Sequence, residues 1–304
     1  MNAGERRVHL RSRPSKSARS GVALSLTPAR AGWEFVRFTV RILAREAKWT
    51  GATAGEELCI VLLSGRCRVS WRTRAGDIGS GTLGPRSSVF EQYPHAAYLP
   101  PGARFTVTAE DASEVADCRA PATRALAPRI VGPEDCGYEI RGGGNATRQI
   151  IDILPPSFPA ERLMICEVLT PAGNWSSYPP HKHDRDRPPV EADLEEIYYF
   201  RFRHPEGYGF HRLYTADGPR YVTMTVRDGD LVIVREGYHP FVTAYGHDAY
   251  YLNVLAGNRR SMAATDDPRY AELRRTWPAP DPRVPLIPRP VAEAAGRAKE
   301  RYHA

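Results

Sequence analysis

Four side chains in the second half of the sequence form a set able to hold a metal ion: His181, His183, Glu196 and His239. Residues two apart on a strand point to the same face. The H-x-H of PPHKHD therefore projects two imidazoles together and turns Lys182 away. Glu196 opens the aromatic run EIYYF after a loop rich in charge and proline. If Glu196 faces a barrel interior, so do Tyr198 and Phe200, while Glu195 and Tyr199 face away. His239 follows the turn REGY and starts another strand. Three imidazoles and one carboxylate suit one divalent first-row ion per chain, zinc first, with Mn, Fe, Co and Ni as alternatives. Such a set leaves a position for water or substrate, as catalysis requires. Histidine pairs are common on surfaces, and H-x-H alone says little. Its agreement with Glu196 and the GYHP turn favours a metal centre.

The elements that must position these groups read as strands. WEFVRFTVRIL, ELCIVLLSGRCRVSWR, ARFTVTA, RLMICEVLT, EIYYFRF, YVTMTV, DLVIVR and AYYLNVLAG are rich in β-branched and aromatic residues, and several alternate apolar with polar. Turn signals such as SG, DGD and PPG separate them. Only DPRYAELRRTW and VAEAAGRAKERYH, near the end, suggest short helices. The two halves follow one plan: acidic residue, strand, turn, strand, glycine turn, strand. YLPPGARFTV and VIVREGYHPFV read as the same turn twice, an internal duplication of a small β-barrel. The first copy has Gly102-Ala103-Arg104 where the second has Gly237-Tyr238-His239, and it lacks H-x-H. Chemistry is therefore expected in the second copy alone. The expected division is a disordered basic arm over 1–20, a degenerate barrel over 21–125, a metal-binding barrel over 126–270 and a Pro-rich connector and tail over 271–304.

Composition narrows the function classes. With 42% hydrophobic residues among 304, the chain can build a sizeable core. Residues 1–20 hold six Lys/Arg and one Glu, so they carry +5 of the formal +7. A nucleic-acid partner needs the basic surface on the folded body, and none is expected. No segment approaches the ~20 apolar residues of a membrane helix, and the first residues lack the apolar core of a secretory signal. Cys59, Cys67, Cys118, Cys136 and Cys166 show no C-x-x-C spacing and sit mostly among apolar residues. They read as buried, reduced thiols of a cytoplasmic protein.

H-x-H, a later Glu before an aromatic strand and Gly-x-His together resemble the metal motif of the cupin superfamily. More narrowly, GNWSSYPPHKHD, LEEIYYF, DGDLVIVREGYHP and YYLNVLAG resemble the 5-deoxy-glucuronate isomerase family of bacterial myo-inositol catabolism. GWEFVRFTVRIL, LLSGRCRVS, SSVF and YLPPG resemble its amino-terminal half, so the likeness spans roughly residues 20–270. The chain departs at Arg235-Glu236, where the family has Pro-Arg, and at GNRRSMA, where its usual Trp is missing.

The resemblance implies an all-β bicupin of two tandem double-stranded β-helix barrels. It implies an aldose–ketose isomerase that converts 5-deoxy-D-glucuronate to 5-dehydro-2-deoxy-D-gluconate. A small sugar acid is the expected partner, and a homo-oligomer is admitted. A base must move a proton from C2 to C1; Tyr198, Tyr214 and a metal-bound hydroxide are the candidates, and Glu196 is one only if its metal bond is loose. Arg148 and Arg212 are candidates for the substrate carboxylate, because guanidinium grips carboxylate in a fork. Asn174, Ser177, Tyr251 and Asn253 are candidates for its hydroxyls. The cousin family of 4-deoxy-5-ketouronate isomerases shares fold and metal pattern, and the long HKHD-to-LEEIYY insertion favours the inositol branch. A cupin dioxygenase would share the ligands. A non-catalytic sugar-binding cupin would bring an effector domain, and no helix-turn-helix pattern is present.

Overall fold

A computed structural model of the chain describes residues 8–11, 20–216 and 221–290. Strands dominate, and the helical pieces are Pro28–Ala31, Pro133–Asp135 and Ala271–Thr276. The last of these falls within DPRYAELRRTW, as expected. VAEAAGRAKERYH lies outside the described residues. No described helix is long and apolar enough to cross a membrane.

Each half is a pair of antiparallel sheets. In the first, Arg129–Val131, Ala96–Leu99, Glu56–Arg72, Ser113–Pro121, Arg37–Leu43 and Gly21–Leu26 lie in that order. The far end of Glu56–Arg72 crosses into a second sheet with Lys48–Ala52, Arg104–Ala109 and Ile78–Arg86. In the second half, Leu231–Val234, Glu191–Phe202, Ala249–Gly257, Met164–Thr170, Arg148–Leu154 and Glu139–Arg141 form one sheet. Trp175–Ser176, Phe241–Thr243, Tyr208–Tyr214 and Tyr221–Arg227 form the other. The first half's strands run to Val131, past the boundary expected at 125.

Period-2 alternation sorts the side chains into three large cores and a small fourth cluster of Met164, Ala192, Leu194 and Leu255. Leu58, Ile60, Leu62, Val69, Leu83 and Val107 fill the first barrel. Tyr198, Phe200, Phe202, Met224, Phe241 and Tyr251 fill much of the second. The alternate residues, among them Cys59, Val61, Ile197, Tyr199 and Leu252, join one large core between the halves. The registers show how the two barrels differ at the place of Glu196. Glu196 lies opposite Val234, and Leu58 lies opposite Leu99 at the matching place. An aliphatic side chain thus stands where the second barrel has its carboxylate.

Two carboxylates lock the halves reciprocally. Glu57 accepts the backbone N–H groups of Glu161, Arg162 and Leu163 at 2.6–2.7 Å. Glu195, turned away from the second barrel's interior as its parity predicts, accepts those of Glu34, Phe35 and Val36 at 2.5–2.8 Å. Deeper in, Arg86 of the first half forks onto Glu167 of the second at 2.7 and 2.8 Å. Both side chains are wholly buried. Arg86 also donates to the carbonyls of Leu62 and Gln92, and Glu167 accepts from the Tyr250 hydroxyl.

Described parts of both terminal segments are packed. Residues 1–7 and 12–19 of the supposed arm lie outside the described residues, but His9–Leu10 pairs with Leu231–Val234. His9 is buried, its Nε2 2.9 Å from Asp230. An imidazole with a buried acid to meet has reason to dock. The Pro-rich connector is also packed: Ile287 is buried and exchanges two hydrogen bonds with Gln149.

Candidate metal centre

The strand Glu191–Phe202 brings Glu196, Tyr198, Phe200 and Phe202 to one inward face. His183 is tied to this strand twice. Its carbonyl accepts the Leu194 N–H at 2.9 Å, and its Nδ1 donates to the Leu194 carbonyl at 3.2 Å. His239 follows Gly237, whose φ is +82°. A Cβ there would lie 2.5 Å from the Tyr214 carbonyl oxygen, so the turn needs glycine. His183, Glu196 and His239 are all buried, with ligand atoms within 4.8 Å of one another. Glu196 Oε2 lies 2.9 Å from His183 Nε2 and 3.3 Å from His239 Nε2. His181, on His181–Lys182, has its ring 4.8 Å from that of His239 and 6.3 Å from that of His183. It borders the three-residue group rather than joining it at that spacing.

The donor set fits a cation. His239 Nδ1 donates to the Gly237 carbonyl at 3.0 Å, and His181 Nδ1 faces the Pro179 carbonyl at 3.4 Å. With each Nδ1 engaged by a carbonyl, the neutral rings carry their lone pairs on Nε2. His239 Nε2 is buried and makes no hydrogen bond among the described residues. A lone pair facing a carboxylate is repulsive unless a proton or a cation lies between them. Burial opposes charge on both groups of the His183–Glu196 pair. Their mutual contact outweighs it, drawing His183 upward and holding Glu196 well below the ordinary carboxylate range. At His181, burial and the neighbouring imidazoles keep the ring neutral. A divalent ion would supply the positive charge without the proton.

The KduI/IolB family model matches residues 9–273. The chain belongs to the KduI/IolB family. It is 41% identical over 249 residues to the 5-deoxy-glucuronate isomerase of Geobacillus kaustophilus, covering 82% of this chain and 89% of that protein. It is 38% identical over 265 residues to the enzyme of the same name from Bacillus subtilis strain 168, covering 86% and 96%. Among solved structures, an IolB-like protein from Salmonella typhimurium superposes with a TM-score of 0.82 at 37% identity, covering 88% of this chain and 98% of that one. Oxalate decarboxylase from Lactobacillus farciminis superposes at 0.62 with 10% identity, covering 85% and 88%, a likeness of fold alone. The expected bicupin architecture stands.

Within this KduI/IolB chain the remaining candidates divide. Tyr198 and Tyr251 project inward with ring centroids 4.7 Å apart, and their hydroxyls meet Ser177 Oγ at 2.9 Å and Ser176 Oγ at 2.5 Å. Arg148 is buried and donates to the carbonyls of Ala146 and Tyr178. Among the described residues no carboxylate lies within ion-pair reach of it. Its charge is felt by both Tyr251 and His181. Asn253 is buried and donates to the Ile197 carbonyl. Three further candidates have their side chains engaged elsewhere. Tyr214 donates its hydroxyl to Asp267 at 2.6 Å, so its proton is committed elsewhere. Arg212 stacks on Tyr214 and Tyr221, on the face of its strand opposite inward His211. Asn174 spends its amide on Thr147, Asp281 and Arg283.

His211 was missed. It is fully buried, its ring packs on Tyr198 at 4.7 Å, and its Nε2 donates to the His239 carbonyl at 3.0 Å. Leu213, apolar and two residues on, was the available sign that this phase of FHRLY faces inward.

The long insertion is stitched rather than loose. Buried Glu191 accepts Lys182 Nζ at 2.7 Å, Arg187 Nη2 at 2.6 Å, Thr265 Oγ1 at 2.7 Å and the Asp184 N–H at 3.1 Å. Burial opposes its charge, but these donors outweigh burial and hold its pKa down to about 2. A carboxylate depressed in the folded state stabilises fully above its unfolded pKa of about 4.3, and that contribution is lost as the pH falls through the folded value. The stability difference between wild type and Glu191→Gln, from urea unfolding, should be full at pH 6 and shrink between about pH 4.3 and 2. A difference constant with pH would refute this role.

Proposed function

We propose that this chain is a metal-dependent 5-deoxy-glucuronate isomerase, with His181, His183, Glu196 and His239 as the ligand set and Arg148 as the anchor of the substrate carboxylate. The observation that carries the metal site is the convergence of His183 and His239 Nε2 on Glu196, each ring fixed through Nδ1 by a carbonyl. Identities of 38–41% to curated isomerases over most of the chain support the activity. A divalent ion held by these residues would supply Lewis-acid polarisation to the substrate. Zinc is our first assignment, on the imidazole-rich donor set. Five free, buried cysteines agree with a reducing, cytoplasmic setting.

The reaction moves one proton from C2 to C1 and one from the C2 hydroxyl to the C1 oxygen, with no atom gained or lost. Burial and the neighbouring Glu196 raise the Tyr198 phenol well above its ordinary value. Tyr198 therefore keeps its proton at neutral pH and is suited to donate a hydrogen bond to a substrate oxygen. Ser177 holds that hydroxyl, and Ser176 holds the one on Tyr251. Glu196 faces two imidazoles and is a ligand rather than a base.

Arg148 is pushed down to about 10 by burial, so it stays charged at pH 7. A buried guanidinium without an acid is an electrostatic demand that a substrate carboxylate meets. Charge-assisted hydrogen bonds contribute about 1.5–3 kcal/mol. Arg148→Met should therefore raise KM on the order of 10- to 100-fold while metal content is unchanged. An unaltered KM would remove Arg148 from the site.

The direct test is proton NMR of 5-deoxy-D-glucuronate with the protein in D2O, with and without a chelator. Chelator-sensitive loss of the aldehyde-hydrate signal, with the ketose appearing, is the expected result. No conversion by metal-replete protein would overturn the assignment.

A further inference from the structure

We infer that Asp184 is a positioning residue for the metal centre, a cross-brace between the two chain segments that carry His183 and His239. The inference rests on the metal reading above and concerns a side chain that has no part in the proposed ligand set.

Asp184 directly follows His183. Its Oδ2 accepts the N–H of Gly237 at 2.7 Å, two residues before His239. Its Oδ1 accepts Lys182 Nζ at 2.6 Å, and its own N–H is held by Glu191. His183 is already fixed to the Glu196 strand by two hydrogen bonds with Leu194. Asp184 adds the third side of the triangle by joining the histidine segment to the turn that delivers His239. That turn is held on its other side by Tyr214, whose N–H and carbonyl pair with Tyr238. His239 is thus gripped from two directions, and the Asp184 grip is the one that fixes it relative to His183. Lys182, turned outward as its parity requires, keeps the Asp184 carboxylate in place through a shared contact with Glu191.

The bond is local to the centre and outside the apolar cores, so its loss should alter ligand geometry more than folding. Residues that orient metal ligands typically change affinity about 10–100-fold when removed. Asparagine can still accept from the Gly237 N–H but cannot neutralise Lys182. It separates the brace from the charge.

The test is Co(II) titration of the metal-stripped full chain, read by visible d–d absorption, with wild type, Asp184→Ala and Asp184→Asn. Asp184→Ala should bind Co(II) about 10–100-fold more weakly, with shifted bands and an apo thermal midpoint close to wild type. Asp184→Asn should recover most of the affinity and the wild-type bands. An Asp184→Ala protein with wild-type affinity and spectrum overturns the brace and leaves the metal reading intact. If Asp184→Ala does not fold, Asp184→Asn decides: wild-type-like bands support the brace, and loss of affinity overturns it. Wild-type protein that develops no Co(II) band overturns the metal centre and the brace with it.

Discussion

His183→Ala should yield a folded protein that retains no divalent metal through gel filtration and turns over at least about a thousandfold more slowly. The size of the effect follows from what His183 does. Its Nε2 stands 2.9 Å from Glu196, and its backbone and ring both anchor to Leu194. Removing the ring deletes one of the three groups whose ligand atoms lie within 4.8 Å of one another. Lewis-acid stabilisation is worth several kcal/mol and leaves with the ion, and each 1.36 kcal/mol is a factor of ten in rate. The backbone bond from Leu194 N–H to the His183 carbonyl survives the change, so circular dichroism should remain that of wild type. Metal analysis beside the NMR assay checks both parts. A folded, metal-free and fully active variant would refute the centre.

The second large effect is on stability. Arg86→Ala should cost about 3–5 kcal/mol, because it leaves the Glu167 carboxylate buried without its guanidinium. Neither side chain is exposed, and Tyr250 alone cannot replace two charge-assisted bonds. The pair also crosses the seam between the halves, so its loss weakens their docking. Replacing both partners, as Arg86→Met with Glu167→Leu, should recover most of the loss, since a buried pair and a well-packed apolar substitute are often near parity. Urea unfolding of the two variants makes the comparison. A single Arg86→Ala variant within about 0.5 kcal/mol of wild type would refute the buried-pair argument.

The parts legible in sequence were those set by short-range periodicity. Alternation along EIYYFRF placed Glu196 and Tyr198 inside and Glu195 outside, and the register bears this out. The GYHP and PPGA turns matched across the halves: PPGA follows Ala96–Leu99 and GYHP follows Leu231–Val234, each leading from one sheet of its half into the other. What was not legible depended on distant residues. Asn174 looked free beside the histidines, but its partners Asp281 and Arg283 lie over a hundred positions later. Tyr214 was lost to Asp267, and His9 was claimed by Asp230. His211 lacked a motif altogether. Its place came from the barrel closing around it.

The two carboxylate clamps have a further meaning. Glu57 reaches across to the segment before the second half's Met164–Thr170, and Glu195 reaches back to the segment before the first half's Arg37–Leu43. Each residue grips in its partner what its counterpart grips in it. That is the pattern of an isologous two-fold interface, here held within a single polypeptide. The chain is built as a dimer of barrels whose subunits were never separate at birth. Tethering makes their association independent of concentration and frees them from staying alike. One barrel fills its interior with leucine and isoleucine, while the other carries the histidines.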